Sequence, residues 1–348
     1  MISSYMDYGA LSAKVRAMYG KRLRLSDFEH MASFTDTRDV LEYLRTQPGW
    51  SSAIAPLTSG GDYVGRIELE DALSSQIRHD YEGLSHFIPK SDKAIVSFPV
   101  RMKELEEIMM ALRRLKSGSG REQPLPPALA GMKVDRKALR ICLDYTGLLA
   151  AVKDSIYYDA LLHLKSETGG APDYATAESL LQSTYFSHLY KTVHKNYAGE
   201  TRKVLLRSFG TQVDLLNLIH LLRIKVYFSG ELKVSDLLFP FSYKLKPDKL
   251  KVLCAASGVD EVFSLLNDTP YAREFEDLPH TPGAVEAYYR KAFYLFNKRQ
   301  LSAGEPSVYT AVSYLNLKEL EFQALVNLIE SVKYGVHYDD TFARMVGD

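Results

Sequence analysis

The chain is poor in cysteine. Only Cys142 and Cys254 occur in 348 residues, and two thiols do not make a disulfide framework, so a reducing compartment is expected. They stand 112 residues apart in apolar helical text, LRICLDY and LKVLCAA, and read as two small core residues. A charge excess is missing too: 43 Lys and Arg balance 43 Asp and Glu. That balance argues against a general nucleic-acid binder, which needs basic surplus. No stretch approaches the roughly 18 consecutive apolar residues that would span a bilayer. The opening MISSYMDYGALSAKVRAMYG has no basic region followed by a long apolar run, so no secretory signal is expected.

The familiar chemical motifs are absent as well. A phosphate-cradling loop needs Gly-Lys-Ser/Thr at its end, or GxGxxG after a strand. Gly60-Gly61…Gly65 has neither the lysine nor the strand and reads as a plain loop. The nine histidines are scattered, no HExxH occurs, and neither cysteine has a close partner. His188 and His194 are six apart, on different faces of a helix, and His220 reads as a packing residue. No catalytic, cofactor-binding or metal-binding residue is assigned. The acidic pair Asp339-Asp340 reads as a solvated turn. Aromatics, by contrast, are plentiful: 23 Tyr and 15 Phe, with groups at Tyr185, Tyr190, Tyr197 and at Tyr288, Tyr289, Tyr294. They suit core packing and half-exposed interface walls equally.

What organises the chain is Val213–Lys225, VDLLNLIHLLRIK, an apolar helical run with Asp214 near its start and Arg223 near its end. The outline recurs at Lys103–Leu115 with Glu104 and Arg113, and at Leu320–Val332 with Glu321, where Glu330 replaces the base. The acids are 110 and 107 residues apart, too long a period for a solenoid unit and suited to a small helical domain written three times. Glu70, Glu178 and Glu286 each open a long helical pattern and are spaced 108 and 108. Arg22–Pro48 aligns with Lys244–Pro270 without gaps, matching Leu23 to Leu245, Phe28 to Leu250, Val40 to Val262 and Leu44 to Leu266. Repeats are therefore expected at 1–120, 121–231 and 232–348, with GSGREQPLPP (Gly118–Pro127) at the first boundary. Ala10–Arg24, Thr37–Arg45, Ile67–Leu84, Thr176–Tyr197, Ala284–Leu301 and Leu315–Tyr334 read as helices. Lys93–Val100 and Lys225–Phe228 are β-prone but isolated, so the fold class is all-α.

Three matched carboxylates argue against catalysis, because acid, base and nucleophile play unlike parts. They read as caps or inter-repeat pairs, with Arg113 and Arg223 as candidate partners.

Tyr8–Met18 (YGALSAKVRAM, Arg16 included), Leu44–Trp50, Leu266–Tyr271 (LNDTPY), Asp214–Lys225 with Asn217 in its asparagine slot, and Leu317–Gly335 together resemble the C subunit of V-type/A-type rotary ATPases, equivalent to the eukaryotic d subunit. The likeness runs over nearly the whole chain and is carried by the order and spacing of these motifs. Glu107 in place of an asparagine, Glu330 in place of an arginine and the long Gly118–Pro127 loop depart from the pattern. The resemblance implies a funnel of three pseudo-threefold helical units with a central opening. It implies a non-catalytic rotor part without cofactor, on the cytoplasmic face of the membrane. Its partners would be the D and F subunits of the shaft and the proteolipid ring, and it would couple ATP hydrolysis or synthesis to H⁺ or Na⁺ movement. Arg16, Glu104, Arg113, Asp214, Asn217, Arg223 and Glu321 are the repeat landmarks and interface candidates. The competing readings are an all-α scaffold of unrelated role and an α-helical enzyme with a central pocket. An enzyme should show clustered, unlike, buried titratable groups.

Overall fold

A computed structural model of the chain describes residues 2–57, 66–118, 131–165, 170–227, 238–239 and 241–347. The loop at Gly60–Gly65, all of Gly118–Pro127 after its first residue, the start of Ser166–Pro172, Ser229-Gly230 and the expected boundaries at 120 and 231 lie outside these residues. Among the described residues every regular element is helical. The fold is all-α.

Two compact units divide the chain, one built from its two ends and one from its middle. The first holds α1 (Ile2–Tyr19), α2 (Leu25–Ala32), α3 (Thr37–Thr46), α4 (Ser51–Ile54), α5 (Arg66–Ser85) and α6 (Lys93–Val96). The second begins with α7 (Phe98–Ser117), α8 (Arg136–Ile141), α9 (Tyr145–Ala151) and α10 (Tyr158–His163). It continues with α11 (Tyr174–Asn196), α12 (Gly199–Tyr227), α13 (Pro247–Ala255), α14 (Val259–Leu266) and α15 (Ala272–Phe275). Helix α16 (Pro282–Ala303) belongs to the second unit up to Phe293 and to the first from Tyr294, and α17 (Val308–Tyr334) and α18 (Thr341–Gly347) complete the first.

Local chemistry sets several of the helix ends. Asp36, Asp135, Asp144 and Asp173 accept backbone N–H bonds from Arg38, Ala138, Gly147 and Thr176 at the starts of α3, α8, α9 and α11, satisfying donors that the helix leaves free. Gly118 and Gly335 end α7 and α17 at φ 64° and 60°, a left-handed cap that a side chain disfavours. The β-prone Lys93–Val100 is helical in α6 and α7, with Pro99 in the first turn of α7, where no N–H is required. Lys225–Tyr227 simply finishes α12.

Several helices differ in extent from their periodicity, and α12 begins at Gly199, fourteen residues before the run at Val213. Helix α1 covers Ile2–Tyr19 and stops five residues short of Arg24. Helix α17 begins at Val308, seven residues before the apolar stripe predicts, because Val308–Leu315 is buried on every side and a helix covered all round has no stripe to read.

In the first unit α17 is the central element, packing on α1, α2, α3, α5, α6 and α18. Leu11, Val15, Phe28, Met31, Val40, Leu44 and Trp50 are fully buried around it. In the second unit α11 packs on both α7 and α12. Leu218 and Leu222 of α12 join Leu253, Val262, Leu266 and Tyr271 in one apolar cluster. The two cysteines are half-buried rather than core residues; each lies at or next to the end of a short helix, and burial raises both thiols.

Candidate functional site: three buried carboxylates

Asp214 is fully buried on α12. Its Oδ1 accepts the backbone N–H of Tyr243 at 2.8 Å, and its Oδ2 accepts those of Lys244 at 2.6 Å and Leu245 at 3.1 Å. The Tyr271 hydroxyl donates to the same Oδ2 at 3.0 Å. One carboxylate thus ties the long helix to the strap ahead of α13 and to the turn after α14. Burial pushes the Asp214 carboxyl up from its ordinary value, against the opposing pull of these four donors. Burial, and then the Asp214 charge, raise Tyr271 in turn.

Glu104 on α7 repeats the arrangement. It is fully buried, accepts the Lys133 N–H ahead of α8, and takes the Arg101 guanidinium at 2.7 Å. Tyr157, in the turn after α9, donates its hydroxyl to the Arg101 carbonyl at 2.8 Å rather than to the acid itself. Tyr157 and Tyr271 occupy matching turns: Ser155 and Thr269 accept their N–H groups, each at 3.2 Å.

Glu321 on α17 does the same with the other end of the chain. Its Oε1 accepts the Leu23 N–H at 2.7 Å, ahead of α2, and the Trp50 indole N–H at 3.0 Å, after α3. Its Oε2 faces the Lys318 ammonium at 3.2 Å. Lys318 also donates to the Gly49 carbonyl at 3.2 Å and lies 3.6 Å from the Trp50 ring centroid. Both charges are more than nine-tenths buried and paired with each other.

Arg113 and Arg223 do not pair with the carboxylates. Arg113 donates to the Tyr174 hydroxyl at the start of α11, and Arg223 to Glu286 in α16 at 2.6 Å. The reason is geometric: nine residues at about 100° each put acid and arginine on opposite sides of a helix. The next base along makes the structural contact that periodicity does not announce. Arg114 donates to the carbonyls of Leu139 and Cys142 at 2.7 and 3.1 Å, and Lys225 to those of Cys254 at 3.0 Å and of Ala256. Each closes the C-terminal end of α8 or α13, where a cation also meets the helix dipole favourably. Its only signal was a second base beside the expected one, RR at 113–114 and RIK at 223–225.

The position three residues after each acid also faces inward. Asn217 pairs with the backbone of Phe239, accepting its N–H at 2.8 Å. Glu107 stands there in α7 and is matched by Arg136, a buried pair; Ala324 stands there in α17 and is fully buried. Arg16 is exposed on α1.

A group of unlike titratable side chains lies in the first unit. Tyr314 donates to Asp80, Gln76 bridges Asp80 and Ser52 at 2.9 and 2.7 Å, and Lys318 and Glu321 lie near by. The cavity lined by Tyr19, Arg22, Tyr294, Tyr314, Lys318 and Glu321 encloses about 10 Å³. That holds about one water molecule, and no organic substrate. Tyr314, Asp80, Gln76 and Ser52 satisfy one another, as do Lys318 and Glu321, and they hold helices together.

The family described as ATP synthase (C/AC39) subunit matches residues 11–343. The chain belongs to that family. The C subunit of the A-type ATP synthase of Methanobrevibacter smithii is 26% identical over 329 residues, 90% of this chain and 81% of that protein. The protein of the same name from Methanothermobacter thermautotrophicus is 24% identical, with the same coverage. That of Archaeoglobus fulgidus is 21% identical over 96% of this chain and 94% of its own length. As a C/AC39 member the chain is an accessory part of an ATP-synthase-type complex, not a catalytic one. No described helix is long and apolar enough to cross a membrane.

In this C/AC39 chain the departure at Glu107 has its compensation in Arg136. Arg136→Met leaves Glu107 buried without a counter-charge and is expected to destabilise the protein by about 3 kcal/mol. The double change Glu107→Leu with Arg136→Met should recover most of that loss. Urea unfolding of the two variants checks this; equal losses in both would mean that the pair is not the relevant contact.

Proposed function

We propose that this chain is the central-stalk rotor component of a V/A-type rotary ATPase, a socket between the central shaft and the membrane ring. The shaft is formed by the D and F subunits and the ring by proteolipids. Docked on the cytoplasmic face of the membrane, it couples ATP hydrolysis or synthesis to H⁺ or Na⁺ movement without binding a nucleotide or cofactor itself.

One observation carries the reading beyond family membership: Glu321 bonds to Leu23 and Trp50, 298 and 271 residues away. In each sequence copy the last long helix bears the acid and holds the short helices of the next copy, through the carboxylate itself and, for the turn after α9, through the Arg101 carbonyl. Helix α7 holds α8 and α9, α12 holds α13 and α14, and α17, at the end of the chain, holds α2 and α3. A linear array would leave its last helix without a partner. A cycle does not, and three copies closed in a cycle support the pseudo-threefold funnel with a central opening. The repeats 1–120, 121–231 and 232–348 are then its sequence units. Matched closures in every copy also suit a stiff body that passes torque.

The test is assembly. Removing this chain from cells should separate the ATPase head from the proteolipid ring in membrane preparations, and adding the purified chain to the D and F subunits should give a stable complex on gel filtration. An intact ring-bound head without the chain would refute the socket.

A further inference from the structure

The residues from Tyr8 to Ser26 contain five cations, Lys14, Arg16, Lys21, Arg22 and Arg24, and no acid. The whole chain is neutral, so this local excess is not a matter of composition. Arg22 is partly buried and lies 4.4 Å from the Tyr19 ring. Lys14, Arg16 and Lys21 are exposed, and among the described residues none of the three enters an ion pair. Some exposed cations elsewhere find acids, as Arg38 does with Asp36, Arg223 with Glu286 and Arg344 with Asp340 and Glu29; what marks α1 is that its cations cluster where no acid stands among them.

Their placement on α1 is specific. Leu11 and Val15 turn inward and are fully buried. The opposite face carries Ala10, Ala13 and Ala17, all exposed, with the exposed Met6 on the same face two turns before Ala13. At about 100° per residue Lys14 and Arg16 flank that face, one on each shoulder, and Lys21 follows just past the helix end. Small side chains between flanking charges let a second helix approach closely while its own charges meet the shoulders, the arrangement of charged edge positions beside a helix seam.

From this we propose that the exposed face of α1 docks an acidic helix of a partner protein, with Lys14, Arg16 and Lys21 meeting its carboxylates. Charge complementarity names the sign of the partner. The alanine centre favours a helix over a lipid surface, because binding in a bilayer interface draws on a row of large apolar or aromatic side chains and between the cations this face has only alanines, Met6 lying nearer the helix start. Three cations on a neutral chain are also a small footprint for nucleic acid. The proposal rests on the functional reading only in seeking the partner within the ATP synthase complex.

The experiment places a photo-crosslinking residue at Ala17 of the full chain in cells and maps the adduct by mass spectrometry. It is repeated with Lys14→Glu/Arg16→Glu, and with the exposed α8 control Lys137→Glu. Both charge variants are checked for unchanged helicity and melting. The expected adduct is a helical segment of another protein of the complex carrying Asp or Glu within a turn of the linked residue. Its yield should fall about tenfold on charge reversal, as the loss of steering and paired charge predicts, and stay unchanged in the control. Swapping those partner acids to lysine should restore it in the reversed variant. An adduct yield indifferent to charge reversal, adducts only to lipid or RNA, or no adduct at all would overturn the docking face. Binding to phosphatidylserine–phosphatidylcholine vesicles lost in the Lys14→Glu/Arg16→Glu variant, without a protein adduct, would assign the face to lipid and overturn it equally. An acidic-helix adduct in a protein outside the complex would keep the face and sink the rotor reading instead.

Discussion

Replacing Glu321 with alanine should unfold the first unit under conditions where the wild type is folded. The substitution leaves the Lys318 ammonium buried without its counter-charge and the Trp50 indole N–H without its acceptor, and it takes the bond from the Leu23 N–H. Removing one partner of a buried ion pair costs about 3–5 kcal/mol, and each stranded donor adds about 1–3 kcal/mol. Losses of that size approach the whole stability of an ordinary domain, about 5–15 kcal/mol. Two comparisons isolate the cause. Glu321→Gln keeps a carbonyl oxygen for Leu23 and Trp50 but loses the charge facing Lys318, so it should fall between wild type and Glu321→Ala. Glu321→Leu with Lys318→Met removes both charges and should recover part of the loss. Urea denaturation followed by Trp50 fluorescence reports this unit directly, because Trp50 is the only tryptophan. An unchanged midpoint for Glu321→Ala would mean that the ends of the chain are held together by something other than this carboxylate.

At Asp214 the expected effect is a loss of about 2–4 kcal/mol for Asp214→Asn, from the mismatch of an amide with a ring of donors. Three backbone N–H groups and the Tyr271 hydroxyl all point at the two carboxylate oxygens. An asparagine offers one oxygen and turns its NH₂ toward donors that have nothing to give to. The pH dependence has a definite sign. Burial raises the folded-state pKa above the ordinary 3.8, so the folded protein holds this proton more tightly than the unfolded chain. The resulting contribution is complete below pH 3.8 and is lost as the pH rises through the higher folded value. The stability gap between wild type and Asp214→Asn should therefore be widest in acid and narrow toward neutrality. Calorimetric melting of both proteins between about pH 3.5 and 7 checks this, and a gap that widens with pH would contradict the burial argument.

The recurring acid helix, the long helices around Glu178 and Glu286, and the all-α class were legible because each rests on a periodicity; those two acids do not open their helices, which start four residues earlier at Tyr174 and Pro282. The start of α17 was not, since Val308–Leu315 is covered on every side and loses the stripe that marks an amphipathic helix. The partners of Arg113 and Arg223 were misjudged for a reason already present in the numbers: nine residues turn a helix through two and a half revolutions, which ends on the far side. Arg114 and Lys225, which do hold helix ends, were hidden beside them. Arg136 as the partner of Glu107 needed coordinates, since nothing along a single helix announces which distant cation will fold against it.

By itself the sequence determined that the chain is helical, that an acid-bearing helical outline recurs three times along it, and that each of those acids sits on an apolar helix. Those properties follow from side-chain spacing and burial preference, which act over a few turns of helix. The tertiary structure alone decided what each acid binds: the short helices that follow it in the chain, with the final one reaching back to Leu23 and Trp50. Such closure depends on which backbone N–H groups and cations arrive at a carboxylate from tens or hundreds of residues away. Spacing along one helix holds no record of that, because the bond forms only once apolar burial has brought the two ends of the chain together.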